Sequence, residues 1–344
     1  MCGIFGYVGK GDTVVIPFEG ENRSSLIDSE TEFIHKYSPD LKYSISSMNI
    51  LNLIKEGNYY VRIAPDFQRE IQIRIMSTIK IAKKLGVSRN TISRMSKSEN
   101  YWCNFKTLLS LTEFLQIDEE RAMKSIKSVK TKDSFPMPVK NIEFNSSLAR
   151  TLAHILGDGG IHVNKLQGKY RAFYVNIQDA LLESFKTDIK SIFGEIPIYF
   201  RRRVNHGHEF WLGSTVGFML YKLLQYDHFP VKRIPDWIKQ SDNEFKSAFL
   251  QAMYDDEGFL YPQKYMIVIA FANRMLTEDV RELVQSIGIS TNPIRLHNSK
   301  TRTLMHYFSI TGRRNIFNFH RQVNFIHPIK RKKIEMLISK YKVA

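Results

Sequence analysis

Two stretches of this chain carry one pattern at a distance. SSLARTLAHILGDGGIHV (146–163) is answered by SAFLQAMYDDEGFLY (247–261). Each reads as an apolar helix that ends in an acidic-glycine turn and runs into strand-like residues. An amphipathic helix follows each: DALLESFKTDIKSIFG (179–194) and TEDVRELVQSIGI (277–289). Further strand-like runs come next (IPIYFRRRV, HYFSIT), then a closing helix beginning near Thr215 or Arg314. A duplicated unit constrains a fold strongly, because one copy cannot bury its apolar helix alone and the partner copy must cover it. The expected class is α+β, with two pseudo-symmetric αββαββα units at 141–240 and 241–344.

Helices pack side by side closely only where small residues sit at the crossing. Ala153 and Gly157 supply them in the first copy, four residues apart and so on one face. Ala252 does so in the second, but Asp256 stands where the first copy has Gly157. Such packing aims both helix C-termini at one place, so Asp158 and Glu257, 99 residues apart in the chain, are expected to meet. Two adjacent carboxylates raise each other's pKa unless a cation lies between them. A hard divalent cation with oxygen ligands, Mg²⁺ or Mn²⁺, suits that position. An acid at a helix C-terminus is electrostatically unfavourable. Two of them at equivalent positions therefore argue for a compensating cation rather than for incidental capping turns.

Read as nine-residue motifs, TLAHILGDG (151–159) and LQAMYDDEG (250–258) resemble the LAGLIDADG motif of homing endonucleases. The resemblance covers about residues 141–344, and KRIP (232–235) and FIHPIKRKK (325–333) are similar to the family's flanking segments. It implies a monomeric endonuclease that cuts both strands of a long, specific DNA duplex across the minor groove and leaves short 3′ overhangs. It also implies Mg²⁺ or Mn²⁺ at Asp158 and Glu257, the glutamate keeping the charge with a longer reach. Basic residues beside the metal map to Lys232, three residues before Pro235, and Lys333, five after Pro328, with Lys330 and Lys332 as neighbours. Strand-borne cations would contact the duplex: Lys169, Arg171, Arg201, Arg202 and Arg203 in the first unit, Lys264, Arg295 and Arg302 in the second. Successive strand residues alternate between faces, so at least one of Arg201 to Arg203 points away.

The charge agrees with a polyanionic partner. The chain carries a formal +16; residues 1–60 hold 5 Lys or Arg against 8 Asp or Glu, leaving +19 on the remainder. Within that basic body, TIKIAKKLGVSRNTISRM (78–95) has the spacing of a helix-turn-helix, and the helices after it resemble Cro/repressor-like domains. Ala82 sits at the crossing, Gly86 at the turn, Ser88 caps the second helix and Ile92 anchors it. That leaves Ser88, Arg89, Asn90, Ser93 and Arg94 as DNA-facing candidates. The expected organisation is an N-terminal segment (1–70), a helix-turn-helix domain (71–123) and an exposed basic linker (124–140) with Pro136 and Pro138, ahead of the two units.

The opening, MCGIFGYVGK, resembles the start of glutamine–fructose-6-phosphate aminotransferases, whose second-residue cysteine attacks glutamine. Its likeness ends after about ten residues, and the expected origin is a host aminotransferase gene that received an endonuclease element. GDTVV (11–15) resembles an intein start, but no TxxH block follows and the chain ends KYKVA, so self-splicing is not expected and Cys2 reads as an idle thiol. With Cys2 and Cys103 as the only cysteines, a disulfide framework is excluded, and a cytoplasmic, nucleoid-associated location is expected. No run is long and apolar enough to span a bilayer. Two other functions stand beside the nuclease: a DNA-binding regulator that has lost cleavage, which retention of both acids argues against, and a truncated glutamine amidotransferase resting on Cys2.

Overall fold

The computed structural model describes residues 47–343, apart from 56, 99, 133, 204–206, 227–231 and 299–303. All lie in the larger of the chain's two units, Tyr43–Ala344; the opening segment with Cys2 is outside the described residues. The fold is α+β, and among the described residues no helix is long and apolar enough to cross a membrane.

β1 (Ser47–Asn49) leads into α1 (Ile50–Ile54), and β2 (Tyr60–Ile63) into α2 (Pro65–Arg74). Next come α3 (Thr78–Leu85) and α4 (Arg89–Lys97), joined by Gly86 at φ 65°, a left-handed turn that glycine adopts without steric cost. Ser88 caps α4, its Oγ accepting from the Thr91 amide at 3.1 Å. Ala82 and Ile92 are buried, whereas Ser88, Arg89, Asn90 and Arg94 are exposed and Ser93 is half-buried. From α2, the Gln68 side chain donates to the carbonyls of Met95 and Ser98, both at 2.9 Å, and ties down the end of α4.

β3 (Cys103–Asn104), α5 (Phe105–Phe114) and α6 (Glu119–Ser125) follow, then β4 (Ile126–Lys130) and β5 (Met137–Pro138). Segment 124–140 is therefore not an exposed linker. Its strands complete an antiparallel sheet of order β3-β2-β4-β5, because Ile126, Val129 and Met137 are apolar and buried while the intervening lysines point outward. Pro138 is tolerated because β5 is an edge strand. The boundary expected at residue 70 likewise falls inside α2, and residues 47–63 belong with the helices rather than with a separate segment. β6 (Asn141–Glu143) returns to pair with β1.

The first unit runs α7 (Ser146–Leu156), β7 (Gly159–Asn164), β8 (Lys169–Asn176), α8 (Asp179–Phe193), β9 (Ile198–Arg203), β10 (Gly207–Leu212) and α9 (Ser214–Leu223). After the short α10 (Asp236–Lys239), the second runs α11 (Asn243–Glu257), β11 (Gly258–Tyr261), β12 (Met266–Phe271), α12 (Arg274–Ser286), β13 (Arg295–Asn298), β14 (Leu304–Thr311) and α13 (Arg313–Gln322). α14 (Pro328–Val343) closes the described chain. The sheets have matching orders, β7-β8-β10-β9 and β11-β12-β14-β13. Registers match too: Gly159 faces Tyr174 in the first, and Gly258 faces Ile269 in the second.

α7 and α11 start at side-chain caps, Asn145 accepting from Ser147 and Leu148 amides and Asp242 from the Phe245 amide. They pack against each other, and Leu148, Leu152, Ala153, Phe249, Ala252 and Met253 on them are buried. Each fully buried large aliphatic or aromatic side chain contributes about 1.5–3 kcal/mol. That seam fixes where the two helices end, and so where the two acids stand.

Candidate active site

Asp158 lies one residue beyond the C-cap of α7, and Glu257 is the last residue of α11. Burial first, then the charges of Asp256 and Glu257, push the Asp158 carboxyl well above its usual range, so the charge of Glu257 acts at Asp158. Glu257 is pushed up to about 7, by burial and then by Asp256. Lys232 and Lys330 pull both back towards ionisation.

Each lysine sits over the end of one seam helix. Lys232 donates to the carbonyls of Leu156 and Gly159, at 3.0 and 3.1 Å, where α7 passes into β7. Lys330 donates to the carbonyls of Tyr254, Asp255 and Asp256 at the end of α11. A cation at a helix C-terminus satisfies carbonyls that have no intrahelical partner and complements the dipole. The segment bearing Lys232 is pinned by the second unit: Arg233 makes a two-point ion pair with Asp279 of α12, at 2.7 and 3.1 Å, and Asn273 donates to the Lys232 carbonyl at 2.6 Å. The segment bearing Lys330 is pinned by buried Asp255, which accepts from the amides of Ile326 and His327 at 3.0 and 2.9 Å.

Lys330 therefore takes the position expected of Lys333. One turn of α14 further on, Lys333 is exposed and is felt by His327, whose pKa falls to about 4, through burial and then Lys330. Lys330 is two residues from Pro328, and the helix begins at that proline, so only a first-turn lysine reaches back to α11.

The crossing itself is asymmetric. A Cβ on Gly157 would lie 2.7 Å from Asp256 Oδ2, so the aspartate fills the space that glycine leaves. Asp256 is buried and bonded on both oxygens. Oδ2 lies 2.9 Å from His154 Nδ1, and Oδ1 accepts from the Tyr174 hydroxyl at 2.7 Å. Burial alone would lower the His154 pKa, but the charge and hydrogen bond of Asp256 leave it raised. Asn176, at the end of β8, donates to Asp158 Oδ2 and to the Tyr174 oxygen, both at 3.1 Å. Sequence reasoning missed His154, Tyr174 and Asn176, and named Lys330 only as a neighbour of Lys333. His154 lies within the first motif, so a polar residue on the seam face was the available signal for this network.

On the sheet of the first unit, Lys169, Arg171 and Arg201 fall on the face that carries Phe173, Trp211 and Tyr199. Arg202 does not: it is opposite His208, on the face that turns Phe210 and Leu212 into the core, because strand residues alternate. Arg203 closes β9. In the second unit Lys264 is exposed in a 3₁₀ turn, its Nζ 5.9 Å from the Tyr261 ring centroid, and Arg295 is exposed at the start of β13. Arg302 lies outside the described residues.

The donor set at the seam fits a hard divalent cation: two oxygen ligands whose ionisation is opposed by burial and by neighbouring negative charge. Among the described residues no group of three or more His, Cys, Asp or Glu side chains could hold a metal ion.

Residues 244–324, in the second unit, match the model of the LAGLIDADG-like domain. The chain is 19% identical to the glutamine–fructose-6-phosphate aminotransferase of Methanocaldococcus jannaschii over 354 aligned positions, which cover 94% of the chain and 30% of the enzyme. That alignment reaches far beyond the first ten residues. Among solved structures, mesophilic variants of the homing endonuclease I-DmoI share 18% identity at a TM-score of 0.41, over 52% of this chain and 96% of theirs. I-DmoI in complex with DNA and Ca gives 18% and 0.43, over 56% and 98%. Full-length DUF199/WhiA from Thermatoga maritima gives 12% and 0.39, over 59% and 62%.

Proposed function

We propose that the chain is a site-specific DNA endonuclease that acts as a monomer on a long duplex site, with Asp158 and Glu257 holding Mg²⁺ or Mn²⁺. One observation carries this reading: two acids from equivalent repeat positions lie at the ends of the paired seam helices, the charge of Glu257 acting at Asp158, with one lysine over each helix end. A divalent cation bound there would activate water and neutralise charge developing on the leaving oxygen. The protein's own residues do the rest. Asp158 and Glu257 would hold the cation, and Lys232 and Lys330 favour the ionised form of both acids. Lys169, Arg171, Arg201, Lys264 and Arg295 bind the backbone or base edges, which makes binding strongly salt-dependent. The α3–α4 pair serves as a helix-turn-helix, its exposed Ser88, Arg89, Asn90 and Arg94 extending the contacted site. The long alignment with an aminotransferase agrees with an endonuclease element resident in such a gene.

The test is cleavage of a DNA library that includes intact aminotransferase genes, with Mg²⁺ and with EDTA. Double-strand breaks that need the metal and vanish in Asp158→Asn are expected. Binding of equal strength with and without Mg²⁺, and no cleavage, would favour the regulator instead.

A further inference from the structure

The two acids are held differently. Asp158 accepts a hydrogen bond from Asn176, and the Asn176 amide has its orientation set by a second bond: its Oδ1 accepts from the Gln178 backbone amide at 3.0 Å. A backbone N–H can only donate, so Nδ2 is left for Asp158 and the Tyr174 oxygen. The Tyr174 hydroxyl in turn spends its proton on Asp256, leaving its oxygen to accept from Asn176. Asp256 is fixed by His154 across the helix crossing. Aromatic packing holds the group rigid: Tyr174 stands 4.4 Å from the His154 ring and 4.9 Å from Phe185, centroid to centroid.

The repeat itself provides a control. By strand register Tyr174 corresponds to Ile269 and Asn176 to Phe271, both buried apolar residues that offer no hydrogen bond. The position of Gly157 corresponds to Asp256, and that of His154 to Met253. The second unit has thus given its crossing aspartate to the first unit's network, and among the described residues its own acid has no matching side-chain brace.

We propose that Asn176, set by Tyr174 and the buried His154–Asp256 pair, is a positioning residue for the Asp158 carboxylate, so that removing it impairs the cutting of one DNA strand selectively. This rests on the endonuclease reading above. Partners that orient a metal ligand typically change activity roughly 10–100-fold when lost. A general loss of stability would slow both strands alike, so strand selectivity separates positioning from scaffolding.

The experiment uses the full chain and an end-labelled duplex that the protein has selected from a randomised library. Nicking of each strand is followed separately in Mg²⁺, with duplex affinity measured in Ca²⁺ and stability by urea unfolding. Asn176→Ala, at the half-buried strand end, is expected to slow one strand by roughly 10–100-fold and the other by less than about twofold, at unchanged affinity. Tyr174→Phe keeps the ring packing, removes only the hydroxyl, and is expected to slow the same strand. Equal slowing of both strands, or slowing of neither, overturns the inference while leaving the nuclease reading intact. A parent protein that cuts no duplex overturns both.

Discussion

The two repeats share a topology and differ at the seam, where their chemistry is concentrated. In the first, a glycine sits at the crossing and the acid beyond it is bonded to Asn176. In the second, the crossing residue is Asp256, committed to His154 and Tyr174, and the strand behind the acid presents Ile269 and Phe271. A symmetric pair of carboxylates would repel each other equally. Here one copy has traded close packing for a buried polar network and lent that network to the other. Buried polar groups are tolerated when satisfied and costly when half-satisfied, so the arrangement holds only while every member is present.

The largest effect that sharpens this comparison is removal of either acid. Asp158→Asn and Glu257→Gln are each expected to cut the rate of double-strand cleavage by at least about 10²–10⁴-fold, measured with Mg²⁺ on the selected duplex. The two variants are expected to differ in which strand retains residual nicking. The lysines come next. Lys330→Met is expected to slow cleavage by roughly 10–100-fold, as loss of a group that supports a metal ligand does, whereas Lys333→Met stays within about twofold. Equal effects of the two would return the role to Lys333.

Stability gives a third contrast. Gly157→Ala drives a Cβ against the Asp256 carboxylate and is expected to cost about 1–3 kcal/mol in urea unfolding. Glu257→Gln is expected to act oppositely at neutral pH and above. An acid whose pKa rises from its ordinary 4.5 to about 7 in the folded protein stabilises it least when ionised. The parent should therefore lose stability as pH rises from about 4.5 to 7, and the glutamine variant should lack about 1–3 kcal/mol of that loss. The smallest expected effects lie outside the seam. Arg89→Ala and Arg94→Ala are each expected to reduce the slope of log affinity against log salt by about 1 without altering the chemistry of cleavage.

Much of this was legible in the sequence because duplication leaves a signal that local chemistry cannot imitate. The motif helices and the α3–α4 turn with Gly86 and Ser88 follow from residue type and spacing, while Lys232 was pointed to by the family resemblance. What was not legible depends on partners remote in the chain. The lysines and prolines of 124–140 resemble a linker until β2 pairs with β4 and gives Ile126 and Val129 a core to enter. Lys330 and Lys333 are alike until the start of α14 fixes which one reaches α11. Asp256 looked like an obstacle to packing because its partners, His154 and Tyr174, are 102 and 82 residues away.

The central claim is that Asp158 and Glu257 form one metal-holding site at the helix seam. It is tested most directly by a crystal structure of the protein on its selected duplex with Mn²⁺, located by anomalous scattering. The account predicts manganese peaks within bonding distance of both carboxylates and of phosphate oxygens. Peaks elsewhere on the protein, with the two carboxylates turned away from the DNA, would contradict it.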